Sequence, residues 1–438
     1  MPLDIHPNYK KRLKEKTAGL LSHVTFENMS YFSGYSAQLF SLLDDILPTK
    51  GDIRDQLDSQ VGEHPLYEFI SSEMLKDLRY NYEYESDSTP IKAEEIDHFS
   101  DLEEYSNYLI EHFDSLPFKY SFMFELPQNL FTHFTENQYK FGEKLRLIQP
   151  DNNMMSDFDL SSGNERIDRR IWSLFRGIGG LMIGSGIQDE ELDRGKYYLQ
   201  YFETGYSDNY ATTETASKVI NHIKSFFGLC IAQHVHKYKY QYINDHKKYK
   251  KIIHIYQIDR WLINNALQID DEMCKALRCF ETEDFNKPNH SDEQKRINVN
   301  AYLKNIDAVF NNEEKCEKIL LASQWFFDSY GGTNELLSFI QTTIAIEILL
   351  GEKNVSDLMG LSELLRNRCA YLIGNNRKER DKLLHDFKEI YDIRSKIVHR
   401  GKSKLTYHER SLFRRLQWIC TRVIQEEVKL VINEKSDE

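Results

Sequence analysis

Near the C-terminal end of the chain an arginine and a histidine stand five positions apart, Arg394 and His399, within the segment Asp381 to His399 (DKLLHDFKEIYDIRSKIVH). At 100° per residue, Leu383, Leu384, Phe387, Ile390, Tyr391, Ile397 and Val398 gather within about 80° of Phe387 and predict one buried helical stripe. Arg394 falls inside that stripe. A guanidinium keeps its proton in proteins, so there it must pair with an anion, snorkel to water, or face a groove that an anionic ligand enters. His399 lies in the last turn beside the basic run Arg400-Gly401-Lys402-Ser403-Lys404. An imidazole takes or gives a proton at neutral pH, and a guanidinium fork grips two phosphate oxygens. Structural readings stand beside this one: Glu347, isolated among apolar residues, is the candidate ion-pair partner of Arg394, and a histidine in a last turn can cap carbonyls. Positions five apart on an ideal helix differ by about 140°, so the two share a face only if the helix frays or a second subunit helps.

The elements that must position these residues are helical. From about Asn312 five long patterns follow one another: to Tyr330, Asn334 to Leu350, Asp357 to Ile373, Lys378 to His399, and a last helix opening at Thr406. Gly331, Gly351, Gly374 and Gly401 punctuate them. The second is apolar on most sides, as expected at the centre of a bundle. The fifth opens with Thr406-Tyr407-His408-Glu409, a capping box. Short loops between long amphipathic helices predict an up-and-down bundle. Between Leu361 and Gln425 there are 16 Lys and Arg against 7 Asp and Glu, a local +9, in a chain of formal net charge -13. The chain is electrically polarised, and a polyanion is drawn to this window.

The runs Tyr391 to Gly401 (YDIRSKIVHRG), Ile344 to Leu350 (IAIEILL) and Leu364 to Gly374 (LLRNRCAYLIG) together resemble the Apea-like branch of the HEPN superfamily, over residues 312–438. The resemblance implies an all-α HEPN domain and a metal-independent RNA endonuclease of the kind found in toxin, antiphage and abortive-infection systems. The family's R-x4-6-H motif falls on Arg394 and His399, with Ser395 the polar residue after the arginine. In such a reaction the 2'-OH of RNA attacks the adjacent phosphorus and leaves a 2',3'-cyclic phosphate and a 5'-OH end. His399 would act as general base or acid, Arg394 would stabilise the phosphorane charge, and Ser395 would orient the phosphate or the histidine. The family's arrangement is a homodimer whose two motifs line one cleft. Arg368, Lys396, Arg400, Lys402, Lys404 and Arg414 are the expected RNA contacts, tRNA is among the candidate substrates, and no metal or cofactor is required. The alternative is a non-catalytic RNA-binding or dimerisation module serving an upstream activity.

Upstream the texture is mixed. Residues 1–117 combine short apolar clusters with the acidic runs Asn81 to Ser88 and Glu94 to Glu104, and predict a small mixed domain with a solvated acidic face. Residues 118–305 predict an α+β middle domain, with strands at Phe118 to Leu126, Gly195 to Thr204, Tyr238 to Ile243 and Lys251 to Gln257 and a helix over Thr213 to Gln233. The fold class is therefore α+β multidomain, ending in the all-α bundle at 312–438. On the nuclease reading, the upstream part senses a trigger, phage-derived in a defence system, restrains the nuclease, or selects RNA. The glycine-rich Arg176 to Ile187 lacks the Lys-Ser/Thr of a phosphate loop and reads as a hinge or hairpin. His234-Val235-His236 would set two imidazoles on one strand face with no third ligand, and Lys237 to Tyr240 reads as an amphipathic strand.

At 40% hydrophobic and 13% aromatic the chain is excluded from the disordered class. A mean hydropathy of -0.59, the polar opening Met1 to Lys16 and the lack of long apolar runs predict no signal peptide, no membrane span and no membrane partner. Six scattered cysteines without a C-x-x-C pair predict core thiols in a reducing, cytoplasmic setting.

Overall fold

The computed structural model describes the chain except residues 1–2, 4, 28–30, 33–45, 48–49, 82–89, 128–129, 132–133, 135, 151–195, 209–212, 240–251, 259–264, 284–290, 333, 352–359 and 438. The acidic run at 82–88, the glycine-rich stretch at 176–187 and most of the expected strand at 238–243 lie outside the described residues. Two compact units divide the chain. Unit 1 comprises Met1–Ser121, Phe202–Val219 and Ile255–Leu267; unit 2 comprises Phe122–Tyr201, Ile220–His254 and Gln268–Glu438. The linear division at 117 and 312 is not followed, because the chain returns to unit 1 twice and residues 268–305 belong with the helical region.

Unit 1 opens with α1 (Pro7–Leu21), the short strands β1 (Thr25–Glu27) and β2 (Tyr31–Phe32), α2 (Asp52–Gln60), α3 (Pro65–Asn81), β3 (Ile91–Lys92) and α4 (Leu102–Asp114). The strands form a small antiparallel sheet, β2-β1-β3, with Phe26 opposite Phe32 and Ile91. Asp101 caps α4 by accepting from the Glu104 amide at 2.9 Å. The core is aromatic: Phe69 meets Phe113 at 5.1 Å and Tyr206 at 5.2 Å between ring centroids. Within it lies a buried charge cluster. Lys76 Nζ donates to Glu73 Oε1 at 2.6 Å, the Tyr206 hydroxyl donates to the same oxygen at 3.1 Å, and His112 Nε2 lies 3.2 Å from Glu73 Oε2.

The main sheet is built from β4 (Phe118–Glu125), β5 (Gln138–Phe141), β6 (Leu145–Ile148) and β7 (Tyr198–Gly205), followed after α5 (Glu214–Ala232) and β8 (His236–Tyr238) by β9 (Ile252–Gln257) and β10 (Asn265–Gln268). Its order is β10-β9-β4-β7-β6-β5. Strands β5, β6 and β7 are antiparallel, with Phe141 opposite Leu145 and Leu147 opposite Leu199. After α6 (Asp271–Arg278), β11 (Phe280–Thr282) pairs with β8. In that ribbon Lys237 and Lys239 pair with Glu281 at 3.5 and 3.0 Å, and the Tyr238 ring meets Phe280 edge-on and Tyr330 at a tilt. Tyr238 is nonetheless 43% exposed and Lys237 half-buried, so the strand does not alternate as expected of an amphipathic one, and Tyr240 lies outside the described residues. The two histidines do not share a face. His234 sits exposed at φ 58°, outside the strand, while His236 is buried and bonds the Leu130 carbonyl at 3.0 Å.

The helical region holds one helix more than the sequence pattern suggests. Helix α7 (Asp292–Phe310) is capped by Ser291 and buries Val299, Leu303, Ile306 and Val309, a spacing of three and four that runs through the boundary expected near 305. There follow α8 (Glu317–Gly331), α9 (Glu335–Leu350), α10 (Leu361–Ile373), α11 (Arg377–Arg400) and α12 (Tyr407–Asp437). Helix α9, expected at the centre, touches α8, α10, α11 and α12, and α12 touches each of α7 to α11. Helix α9 keeps one apolar stripe incompletely covered: Leu337 is 43% exposed, and Ile340, Ile344 and Ile348 are half-buried. Helix α5 approaches α8 so closely that a Cβ on Gly228 would collide with the Ser323 carbonyl, and Ser225 donates to the Leu320 carbonyl at 2.8 Å beside it. All six cysteines are buried and free, and among the described residues no helix is long and apolar enough to cross a membrane.

Candidate active site

Helix α11 carries the arginine and the histidine. Asn376 caps its start by accepting from the Glu379 amide at 3.0 Å, and Gly401, left-handed at φ 61°, ends it. The buried residues are Leu383, Asp386, Phe387, Ile390 and Ile393. The stripe is therefore rotated from the expected one: Ile393 completes it, Val398 is 49% exposed, and Arg394 stands at its edge. Asp386 belongs to the buried face: its carboxylate accepts from Arg415 Nε of α12 at 2.9 Å.

Arg394 is neither sealed nor free. Its side chain is 29% exposed, and Nε lies 3.3 Å from Glu347 Oε1 on α9, in an ion pair too oblique to count as a hydrogen bond. That oxygen already accepts from the Tyr391 hydroxyl at 3.0 Å. The guanidinium is thus tethered by its Nε edge, and no described residue takes its two terminal nitrogens. Burial, and after it the Glu347 charge, pushes the Tyr391 phenol well above its usual range, so this hydroxyl stays a donor.

Ser395, Lys396, His399 and Arg400 are exposed. Helix α11 stays helical through Arg400, so Arg394 and His399 remain about 140° apart around the axis and about 7.5 Å apart along it. The fraying that would bring them together within one protomer is not seen. Among the other expected RNA contacts, Lys404 and Arg414 are exposed. Arg368 and Lys402 have work inside the protomer. Arg368 Nη1 donates to the Leu350 carbonyl at 3.0 Å and so closes the end of α9, and Lys402 pairs with Glu409 at 3.0 Å in the cap of α12. Sequence reasoning missed Tyr391 as a polar member of the site because its ring sits on the apolar stripe. The signal was its place three residues before Arg394, one turn along the same face.

Two exposed aromatic rings of the region carry guanidinium groups: Arg415 lies 4.1 Å from the Trp418 centroid and Arg380 5.3 Å from that of Tyr371. Among the described residues no group of three or more His, Cys, Asp or Glu side chains is placed to hold a metal ion. Comparison of the chain with protein-family models, with curated proteins and with solved structures found no match.

Proposed function

We propose that the protein is a metal-independent RNA endonuclease of HEPN type, an effector in antiphage defence or a toxin-like system, acting as a homodimer. The observation that carries this reading is the one-edged tether of Arg394: Glu347 holds the guanidinium through Nε while no described residue takes the terminal nitrogens, which would suit a bidentate grip on a phosphate. His399, exposed one turn and a half further on, would move the proton between the 2'-OH and the 5'-O leaving group, and Ser395 would orient the phosphate. Since a continuous helix keeps Arg394 and His399 of one chain on different faces, the cleft would take its parts from two chains. The incompletely covered stripe Leu337, Ile340, Ile344 and Ile348, on the helix that also carries Glu347, supports an interface there. Lys396, Arg400, Lys404 and Arg414 would hold the flanking phosphates of a single-stranded or looped RNA.

The Arg394–Glu347 pair also favours a second reading, a non-catalytic RNA-binding module in which the ion pair is structural. The two readings separate in one assay. Wild type should cleave RNA in the presence of a chelator and leave 2',3'-cyclic phosphate ends, while folded Arg394→Ala and His399→Ala variants lose at least about 100-fold in rate. Equal cleavage by all three, or none by wild type in cells where it is induced, selects the non-catalytic module.

A further inference from the structure

Helix α12 presents an outer face that mixes aromatic and basic side chains. At 100° per residue, Ser411, Arg414, Trp418 and Thr421 all fall within about 40° of Tyr407. Tyr407, Ser411, Arg414 and Trp418 are exposed, the Tyr407 ring at 82% and the indole at 44%. One exposed ring is ordinary on a protein surface, but two on one helix face with an arginine between them call for a reason. The indole is held in place. The Arg415 guanidinium lies 4.1 Å from its centroid, and Asp386 of α11 anchors that guanidinium through Nε at 2.9 Å. Arg414 stands between the rings, and no described residue pairs with it. From Tyr407 to Arg422 the helix carries four arginines against one acid, Glu409, whose carboxylate is taken up in the cap.

What suits such a face follows from its chemistry. An unpaired guanidinium between two flat rings matches a ligand that is anionic along its length and carries flat π-surfaces at intervals, as a single-stranded nucleic acid does. A duplex offers the phosphates but keeps its bases stacked on one another. Eleven helical positions separate the rings, about 16 Å along the axis, which spans a short run of nucleotides. Tyr407 also opens the helix three residues after Lys404, so the face continues the basic run that follows His399. We propose that this face of α12 is a base-stacking platform for single-stranded RNA, with bases on Tyr407 and Trp418 and a phosphate on Arg414. It rests on the reading of the helical region as RNA-binding and is independent of whether that region cuts.

The test is fluorescence-anisotropy titration of a labelled 2'-O-methyl RNA oligonucleotide, single-stranded or as a blunt duplex, with the full-length protein at fixed salt. The blocked 2'-OH prevents cleavage, so binding is read alone. Wild type should prefer the single strand. Tyr407→Ala and Trp418→Ala should each weaken single-strand binding by about tenfold and duplex binding by less than about twofold, while Trp418→Phe keeps most of the affinity. Arg414→Gln should weaken both forms alike and lower the salt slope by about one. Tyr407 is the more exposed ring, so its variant keeps the test open if Trp418→Ala does not fold. Tyr9→Ala, which removes an exposed ring of unit 1, should change nothing. Binding to neither form, an equal loss on both forms in the ring variants, or wild-type affinity in Tyr407→Ala would overturn the proposal. So would an equal loss in Tyr9→Ala, or a change in the sedimentation of Tyr407→Ala without RNA, which would mean that a second copy covers the face. Stacking seen while unmodified RNA stays uncut would sink the nuclease reading alone, and cleavage by wild type with binding indifferent to both rings would sink the platform alone.

Discussion

Tyr391 decides how much of Glu347 is left for Arg394. Its hydroxyl occupies the carboxylate oxygen nearest the guanidinium, so removing it would let Glu347 bind Arg394 more fully and compete with the phosphate of the proposed RNA substrate. Tyr391→Phe is therefore expected to raise KM for RNA by about fivefold, the factor a hydrogen bond of roughly 1 kcal/mol is worth, with the pH profile of kcat unchanged. Kinetics on a defined oligonucleotide would check it. In unit 1 the same rule acts on stability. Burial opposes the Glu73 charge, yet Lys76 and His112 hold its carboxyl well below the usual range, so the ion stays charged in a dry core. Glu73→Gln leaves Lys76 without its counterion and should cost about 3 kcal/mol in urea unfolding, with loss of the native state an acceptable extreme.

At the scale of elements, α12 holds the helical region together and its first turn is the place to test it. The Thr406 amide donates to Glu409 Oε2 at 2.7 Å and the Glu409 amide donates to the Thr406 hydroxyl at 3.4 Å, the reciprocal box expected from Thr-x-x-Glu. Thr406→Ala should cost about 1 kcal/mol, read as a lower melting temperature. Burial opposes the Glu409 charge, but the Thr406 amide and the Lys402 ammonium outweigh it and hold the carboxyl below its ordinary value. A carboxyl depressed on folding contributes stability that is present above its unfolded pKa and lost as pH falls through the folded one. The melting difference between wild type and Glu409→Gln should accordingly be largest near neutral pH and shrink in acid.

For the whole molecule, the proposed cleft requires two chains, and α9 offers the means to break it without unfolding either. Leu337 is exposed in the protomer and lies in the first turn of α9, where an acidic side chain complements the helix dipole. Leu337→Asp should leave the melting temperature of the protomer near that of wild type, shift sedimentation from dimer to monomer, and reduce RNA cleavage in parallel. A monomeric wild type that cleaves RNA would contradict the two-chain cleft. The polarised charge has its own consequence: with +9 in the window from Leu361 to Gln425 and a net -13 overall, RNA affinity should fall steeply with salt.

Local physics was legible in the sequence. The apolar spacing of α8 to α12, the glycines that end them, the Thr406 box, strands β4 and β7 and the buried cysteines all follow from periodicity, capping and hydropathy, which act over a few residues. The Arg394–Glu347 partnership was also legible, since an arginine on an apolar stripe must find an acid or an opening. Apart from that pair, the sequence held little that links residues far apart. Only the tertiary structure showed that Asp386 turns inward to meet Arg415, that Arg368 closes α9 rather than facing solvent, that α7 joins the helices, and that residues 202–219 and 255–267 belong with the N-terminal unit. Each depends on which surfaces meet when long segments close on one another, and such contacts leave no periodic trace along the chain.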